Sequence, residues 1–111
     1  MARILVASGE ENLRQTRKLI LEQAGYEVVS TLGVTAALSQ CSNSNFDLFV
    51  IGHSIPDEHK RTLVDTFRRS STAPIVCVTP TSGCPIKGID SRIEPLPEAL
   101  LAGVSELIPQ H

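Results

Sequence analysis

Three strongly apolar runs stand out along the chain: Ile4–Ala7, Phe46–Ile51 and Pro74–Val78. Short runs without polar alternation read as strands covered on both faces, as in a parallel sheet. Between them the pattern changes to helical spacing. After Ile4–Ala7, Ser8-Gly9-Glu10-Glu11 breaks the run, and its acidic pair suits a helix's first turn. Leu13, Thr16, Leu19, Ile20 and Ala24 then recur with a helical period, and Gly25 reads as the stop. Tyr26–Ser30 is a short β-rich run, and Val34–Cys41 carries Ala36, Ala37, Leu38 and Cys41 for a short second helix. Gly52-His53-Ser54-Ile55-Pro56 is a loop punctuated by glycine and proline. A third helix is predicted around His59–Arg69, with Leu63, Val64 and Phe67 on one face. Thr79–Gly88 holds two prolines and two glycines and is predicted to be mostly irregular. A short strand near Ser91–Ile93 and a last helix near Glu98–Ile108, striped by Leu100, Leu101, Val104, Leu107 and Ile108, complete the series.

Strand and helix thus alternate about five times, which predicts an α/β fold: a doubly wound five-stranded parallel sheet with helices on both faces. The helix between the fourth and fifth strands is expected to be shortened or absent. Ligand crevices in such sheets lie outside the carboxyl ends of the strands. The positions that matter are therefore Ser8–Glu10, Gly52–Ser54, Thr79–Thr81 and Glu94.

Composition narrows the picture. The 111 residues suit one domain spanning 1–111, with 41% hydrophobic and 20% charged residues. A net charge of −2, with Arg68-Arg69 the nearest candidate for a basic cluster and too short to count, argues against a nucleic-acid partner. Cys41, Cys77 and Cys84 are odd in number and form no CxxC pair, which fits a reducing compartment. The N-terminal apolar run is too short for a signal peptide, and no run nears the roughly 20 residues of a membrane span. A cytoplasmic location and no membrane partner are expected.

The residues at those strand ends also carry a family resemblance. Ile4-Leu5-Val6 through Leu13-Arg14, and Leu19 through Val29, are similar to the opening strand, first helix and second strand of a response-regulator receiver domain. Phe46–Ile51 resembles its third strand, Ile55-Pro56 the end of the following loop, and Pro74–Thr79 its fourth strand. The resemblance implies a flavodoxin-like receiver fold. It also implies a pocket in which acidic residues after the first strand help hold Mg²⁺, an aspartate after the third accepts a phosphoryl group, and a hydroxyl and a lysine bind its oxygens.

Carried over position by position, the acidic pair falls on Ser8 and Gly9, with Glu10 just beyond. The nucleophile falls on Gly52, the hydroxyl on Thr79 and the lysine on Glu94, before Pro95. Only Thr79 keeps the required chemistry. Glycine has no atom to attack phosphorus, Ser8 and Gly9 supply no charge for Mg²⁺, and Glu94 would repel a phosphoryl group. The resemblance therefore implies a pseudo-receiver with a degenerate phosphorylation pocket, no cofactor and no Mg²⁺ binding. Its role would be stand-alone, in bacterial signal transduction through a protein partner rather than as an enzyme. Two alternatives stand beside it: a phosphorelay receiver with a displaced acceptor at Ser54 or Asp57, or a small-anion or nucleotide binder using Ser8, Thr79 and Thr81. No phosphate-cradling glycine-rich loop supports the latter.

Individual residues have plainer readings. His53 and His59 lack a third ligand at metal-binding spacing. Glu10 and Glu11 complement a helix dipole as readily as they leave a remnant metal site. Glu94 faces the pocket or pairs with Arg92 or Lys87. Cys77 is a small core residue, Cys84 is in a loop, and Asp47 stands at the sheet end opposite the crevice.

Overall fold

The computed structural model describes residues 2–41, 45–52, 54–79 and 88–108. Five strands alternate with four helices: β1 (Arg3–Ser8), α1 (Glu11–Gln23), β2 (Glu27–Leu32), α2 (Val34–Cys41), β3 (Leu48–Ile51), α3 (Asp57–Ser70), β4 (Ile75–Val78), β5 (Ser91–Ile93) and α4 (Pro97–Leu107). Every pairing is parallel and the strand order is β2-β1-β3-β4-β5. This is the doubly wound, flavodoxin-like order that the alternation predicts.

The apolar runs lack polar alternation because both sheet faces are covered. Successive strand residues point to opposite faces. Leu5, Ala7, Phe49, Ile51, Ile75 and Cys77 pack with Ala37, Cys41, Leu63 and Phe67 of α2 and α3. Ile4, Val6, Leu48, Val50, Val76 and Val78 pack on the other side with Leu21, Leu100 and Val104 of α1 and α4. Cys77 is indeed a core residue, wholly buried. Phe49 and Phe67 add a tilted ring contact at 4.8 Å.

In α1 the packed face differs from the predicted stripe. Leu19 is 57% exposed, and Thr16 is exposed too. Arg17 and Leu21 are the buried residues. The inward stripe is Leu13, Arg17, Ile20, Leu21 and Ala24, a helical spacing hidden by the arginine at its centre. The helix stops as expected: Gly25 takes φ 99°, its amide donates to the Glu22 carbonyl at 3.0 Å, and that of Tyr26 donates to Leu21 at 3.2 Å. Only glycine adopts this left-handed position without steric cost. The third helix starts earlier than expected, at Asp57, where Asp57 and Glu58 complement its dipole. The last starts at Pro97, since proline suits a first helical turn.

Between β4 and β5 the described residues are Thr79 and residues 88–90, so the expectation of a shortened or absent helix there falls outside the described residues. The predicted irregular stretch falls largely on residues 80–87, outside the described residues, as do Thr81, Cys84, Lys87 and His53. The link re-enters the sheet through an anchor. Arg68 of α3 donates to Asp90 Oδ2 at 2.7 Å, to the Gly88 carbonyl at 3.2 Å and to the Ala73 carbonyl. Half of the basic Arg68-Arg69 pair is thus committed inside the fold. Asp47 sits at the amino end of β3, where it accepts the Arg3 amide at 2.8 Å, far from the crevice edge. No helix among the described residues is long and apolar enough to cross a membrane.

Candidate functional site

Because all strands are parallel, their carboxyl ends share one edge. The register sets Ala7 beside Ile51, Ile51 beside Cys77, and Val78 beside Ile93. Ser8, Gly52, Thr79 and Glu94 therefore end or follow neighbouring strands along that edge. The chain runs from β1 outward to β2 and then crosses back to β3, so the topological switch point lies between β1 and β3.

At that point the structure brings Ser8, Gly9 and Gly52 together. Ser8 is fully buried, and its carbonyl accepts the Gly33 amide at 2.8 Å. Gly52 is buried and donates its amide to the Ala7 carbonyl at 2.8 Å. A Cβ on Gly52 would stand 2.8 Å from Arg17 Nη1, 3.1 Å from the Ala7 carbonyl oxygen and 3.5 Å from Ser8 Cα. The same Nη1 donates a long, 3.4 Å hydrogen bond to Ser8 Oγ. Arg17, only 5% exposed, thus fills the space that a side chain at position 52 would claim. Burial pushes its pKa down while nearby Glu10 pushes it up. A guanidinium starts high enough to stay charged at neutral pH.

The loops after β1 and β3 are also tied directly. The Gly9 amide donates to Ser54 Oγ at 3.1 Å. A Cβ on Gly9 would stand 2.8 Å from the Ser54 carbonyl oxygen, so the absence of a side chain permits the close approach. Glu10 caps α1 in an extended conformation without a side-chain capping bond. Glu11 lies within the first turn, where the Arg14 guanidinium pairs with it and holds its carboxyl below its usual range. Arg14 also donates to Ser30 Oγ at 2.8 Å. Glu11 is therefore engaged on the helix surface.

The other two edge residues stand further along. Thr79 is half-buried, and its amide donates to the Ile93 carbonyl at 2.8 Å. Glu94 is exposed, is in no ion pair among the described residues, and rims a cavity of about 50 Å³ with Arg17, Leu13, Leu96 and Leu100. That volume holds a few waters and is far below the roughly 300 Å³ at which ligand pockets begin. Ser54 is exposed, and Asp57 lies 3.6 Å from the Lys60 ammonium. His59 is exposed on α3.

The donor set does not fit a divalent cation. A hard cation needs several oxygen ligands, carboxylates among them. Ser8, Gly9 and Gly52 bring no carboxylate, and Arg17 brings positive charge to the same place. Among the described residues no group of three or more His, Cys, Asp and Glu could hold a metal. Sequence reading missed Arg17, although an arginine four residues from both Leu13 and Leu21 on an apolar stripe was the available signal.

No protein-family model matches the chain, and no curated protein does either. Solved structures do. A two-component response regulator from Clostridium difficile superposes with a TM-score of 0.84 at 24% identity, covering 99% of this chain and 98% of its own. The response regulator TrrA from Thermotoga maritima, in complex with Mg²⁺-BeF, gives 0.83 at 24% identity over 97% of this chain and all 100% of its own. A chemotaxis response regulator of Vibrio cholerae gives 0.79 at 22% identity over 97% and 99%. The chain therefore has the receiver fold along essentially its whole length.

Proposed function

We propose that this chain is a pseudo-receiver: a signalling module of receiver fold that works through protein–protein contact without aspartyl phosphorylation. The observation that carries the reading is at Gly52. The residue after β3 has no nucleophilic atom, and the Arg17 side chain stands where one would be. Ser8 and Gly9 leave no acidic pair, and Glu94 places a negative charge at the edge where the resemblance calls for a lysine. The losses affect metal, nucleophile and phosphoryl oxygens together, so no single substitution accounts for them. On this reading the degenerate pocket comprises Ser8, Gly9, Glu10, Gly52, Thr79 and Glu94, and Mg²⁺ has no part. A structural neighbour was solved with Mg²⁺-BeF, which makes the contrast in donor atoms the informative one. The partner is a bacterial signalling protein that reads the fold's surface in one state.

The test is incubation of the full chain with acetyl phosphate and Mg²⁺, and separately with a histidine kinase, followed by intact-mass measurement. The expected result is no phosphoryl adduct and no change in affinity for a captured signalling partner. A base-labile aspartyl phosphate would overturn the reading. An adduct mapped to Ser54 or Asp57 would establish the displaced-acceptor alternative instead.

A further inference from the structure

The strand order opens a crevice between the carboxyl ends of β1 and β3. In this chain one of its own side chains stands in that crevice. We propose that Arg17 is the resident ligand of the switch-point crevice, a tethered cation in place of a free metal ion, and that glycine at position 52 is what admits it. The inference deepens the phosphorylation-independent reading by naming the group that closes the site.

Three observations converge on it. Arginine is rarely buried unless it is engaged, yet Arg17 is 5% exposed at the centre of the inward face of α1. Its Nη1 lies 2.8 Å from where a Cβ on Gly52 would be and donates to Ser8 Oγ, so one nitrogen bonds the end of β1 and takes the space that a side chain after β3 would claim. The halves are also tied by the Gly9 amide on Ser54 Oγ at 3.1 Å. Charge points the same way. Ser8, Gly9 and Gly52 bring no carboxylate to the switch point, so nothing there demands a divalent ion, and Glu10 acts favourably on the single positive charge of Arg17. A planar guanidinium suits a narrow cleft between two backbone segments better than a compact ammonium does. The consequence is a domain held in one arrangement, with its ligand built into the chain.

The test is chemical rescue, read by thermal unfolding of the full-length chain. Arg17→Ala leaves a polar hole the size of a guanidinium ion. In guanidinium chloride at about 50 mM the Tm of Arg17→Ala is expected to rise by about 2–5 °C over the same concentration of NaCl, as a ligand with a Kd of roughly 10–40 mM should achieve. The wild-type Tm should fall slightly, since guanidinium is otherwise a denaturant. Urea, planar but neutral, should not rescue. A parallel fall in variant and wild type, or equal rescue by urea, overturns the proposal. A second measurement avoids the truncated variant. Gly52→Ala should lower the Tm of the wild type more than it lowers that of Arg17→Met, whose side chain carries no terminal nitrogen at that point. Equal lowering in both backgrounds overturns the interlock. Phosphorylation of the wild type would sink the functional reading and leave these melting results unmoved, so the two ideas fail separately.

Discussion

At Gly9 a methyl group would stand 2.8 Å from the carbonyl oxygen of Ser54, whereas at Gly52 the first atom it meets is the end of the Arg17 side chain. The difference decides what each substitution does. At Gly52 the buried Arg17 end must shift and the Ala7 carbonyl follows at 3.1 Å, whereas at Gly9 the first neighbour is itself a backbone carbonyl, which moves only with its loop. Gly9→Ala should therefore cost about 1–3 kcal/mol, the usual range for overpacking a fixed neighbour. Gly33 makes a control of a different kind. It has open space around it but φ +84°, so Gly33→Ala should cost about 1–2 kcal/mol from backbone strain alone. Urea unfolding of both variants checks this; a Gly9→Ala midpoint equal to wild type would show that the two loops are not in fixed contact. The positions of Ser8, Gly9 and Gly52 were legible in the sequence because each follows a buried apolar run. Arg17 was not, because hydropathy counts a charged residue as outward-facing. What buries it is the crevice at the end of a sheet whose strands are distant in sequence.

At the scale of elements, the link between β4 and β5 depends on what happens at its ends. Asp90 joins three elements: its Oδ2 accepts the amide of Ile75 at the start of β4 at 2.8 Å and the Arg68 guanidinium of α3 at 2.7 Å, just before β5. The two bonds are not equivalent. Arg68 and Asp90 are 30% and 45% exposed, and such solvated pairs contribute about 0–1 kcal/mol. Leaving the part-buried Ile75 amide without an acceptor costs about 1–3 kcal/mol. Asp90→Ala should accordingly destabilise clearly, while Asp90→Asn, which keeps an acceptor oxygen, should recover most of the loss. Denaturant titration of both variants at low and high salt decides the matter; equal losses would show that the charge, not the cap, holds the link. The elements themselves were largely legible. Buried parallel strands announce themselves as apolar runs, and Gly25 marked the end of α1. The Arg68–Asp90 anchor was not legible, since it joins residues 22 apart that no local pattern connects.

For the whole molecule, burial on both faces of the sheet has a chemical consequence at Cys41. The thiol closes α2 within the core shared with Phe46, Phe49 and Phe67, is wholly buried, and has its pKa pushed up by desolvation from 9.0 to about 11. In the unfolded chain it ionises near the ordinary value, so above that pH the unfolded state gains a favourable deprotonation that the fold denies. Stability is therefore full below about pH 9 and declines as pH rises toward 11, by an amount on the order of 2–3 kcal/mol for a shift of this size. Glu11 acts in the opposite range. Its lowered pKa makes its contribution present above its ordinary value of 4.5 and lost on acidification, but it is a surface group and the effect is small. The neutral plateau should thus end on the alkaline side through the core. Equilibrium unfolding of wild type and Cys41→Val between pH 7 and 11 separates this from other titrations: the variant should lose much of the alkaline slope. Native-state alkylation gives the matching kinetic readout. Cys41 should react with iodoacetamide at pH 7.5 only as fast as the fold opens, because a buried neutral thiol is neither exposed nor nucleophilic. Rapid labelling of the Cys41 peptide without unfolding would mean that α2 leaves the sheet far more readily than its packing against Phe46 and Phe67 allows.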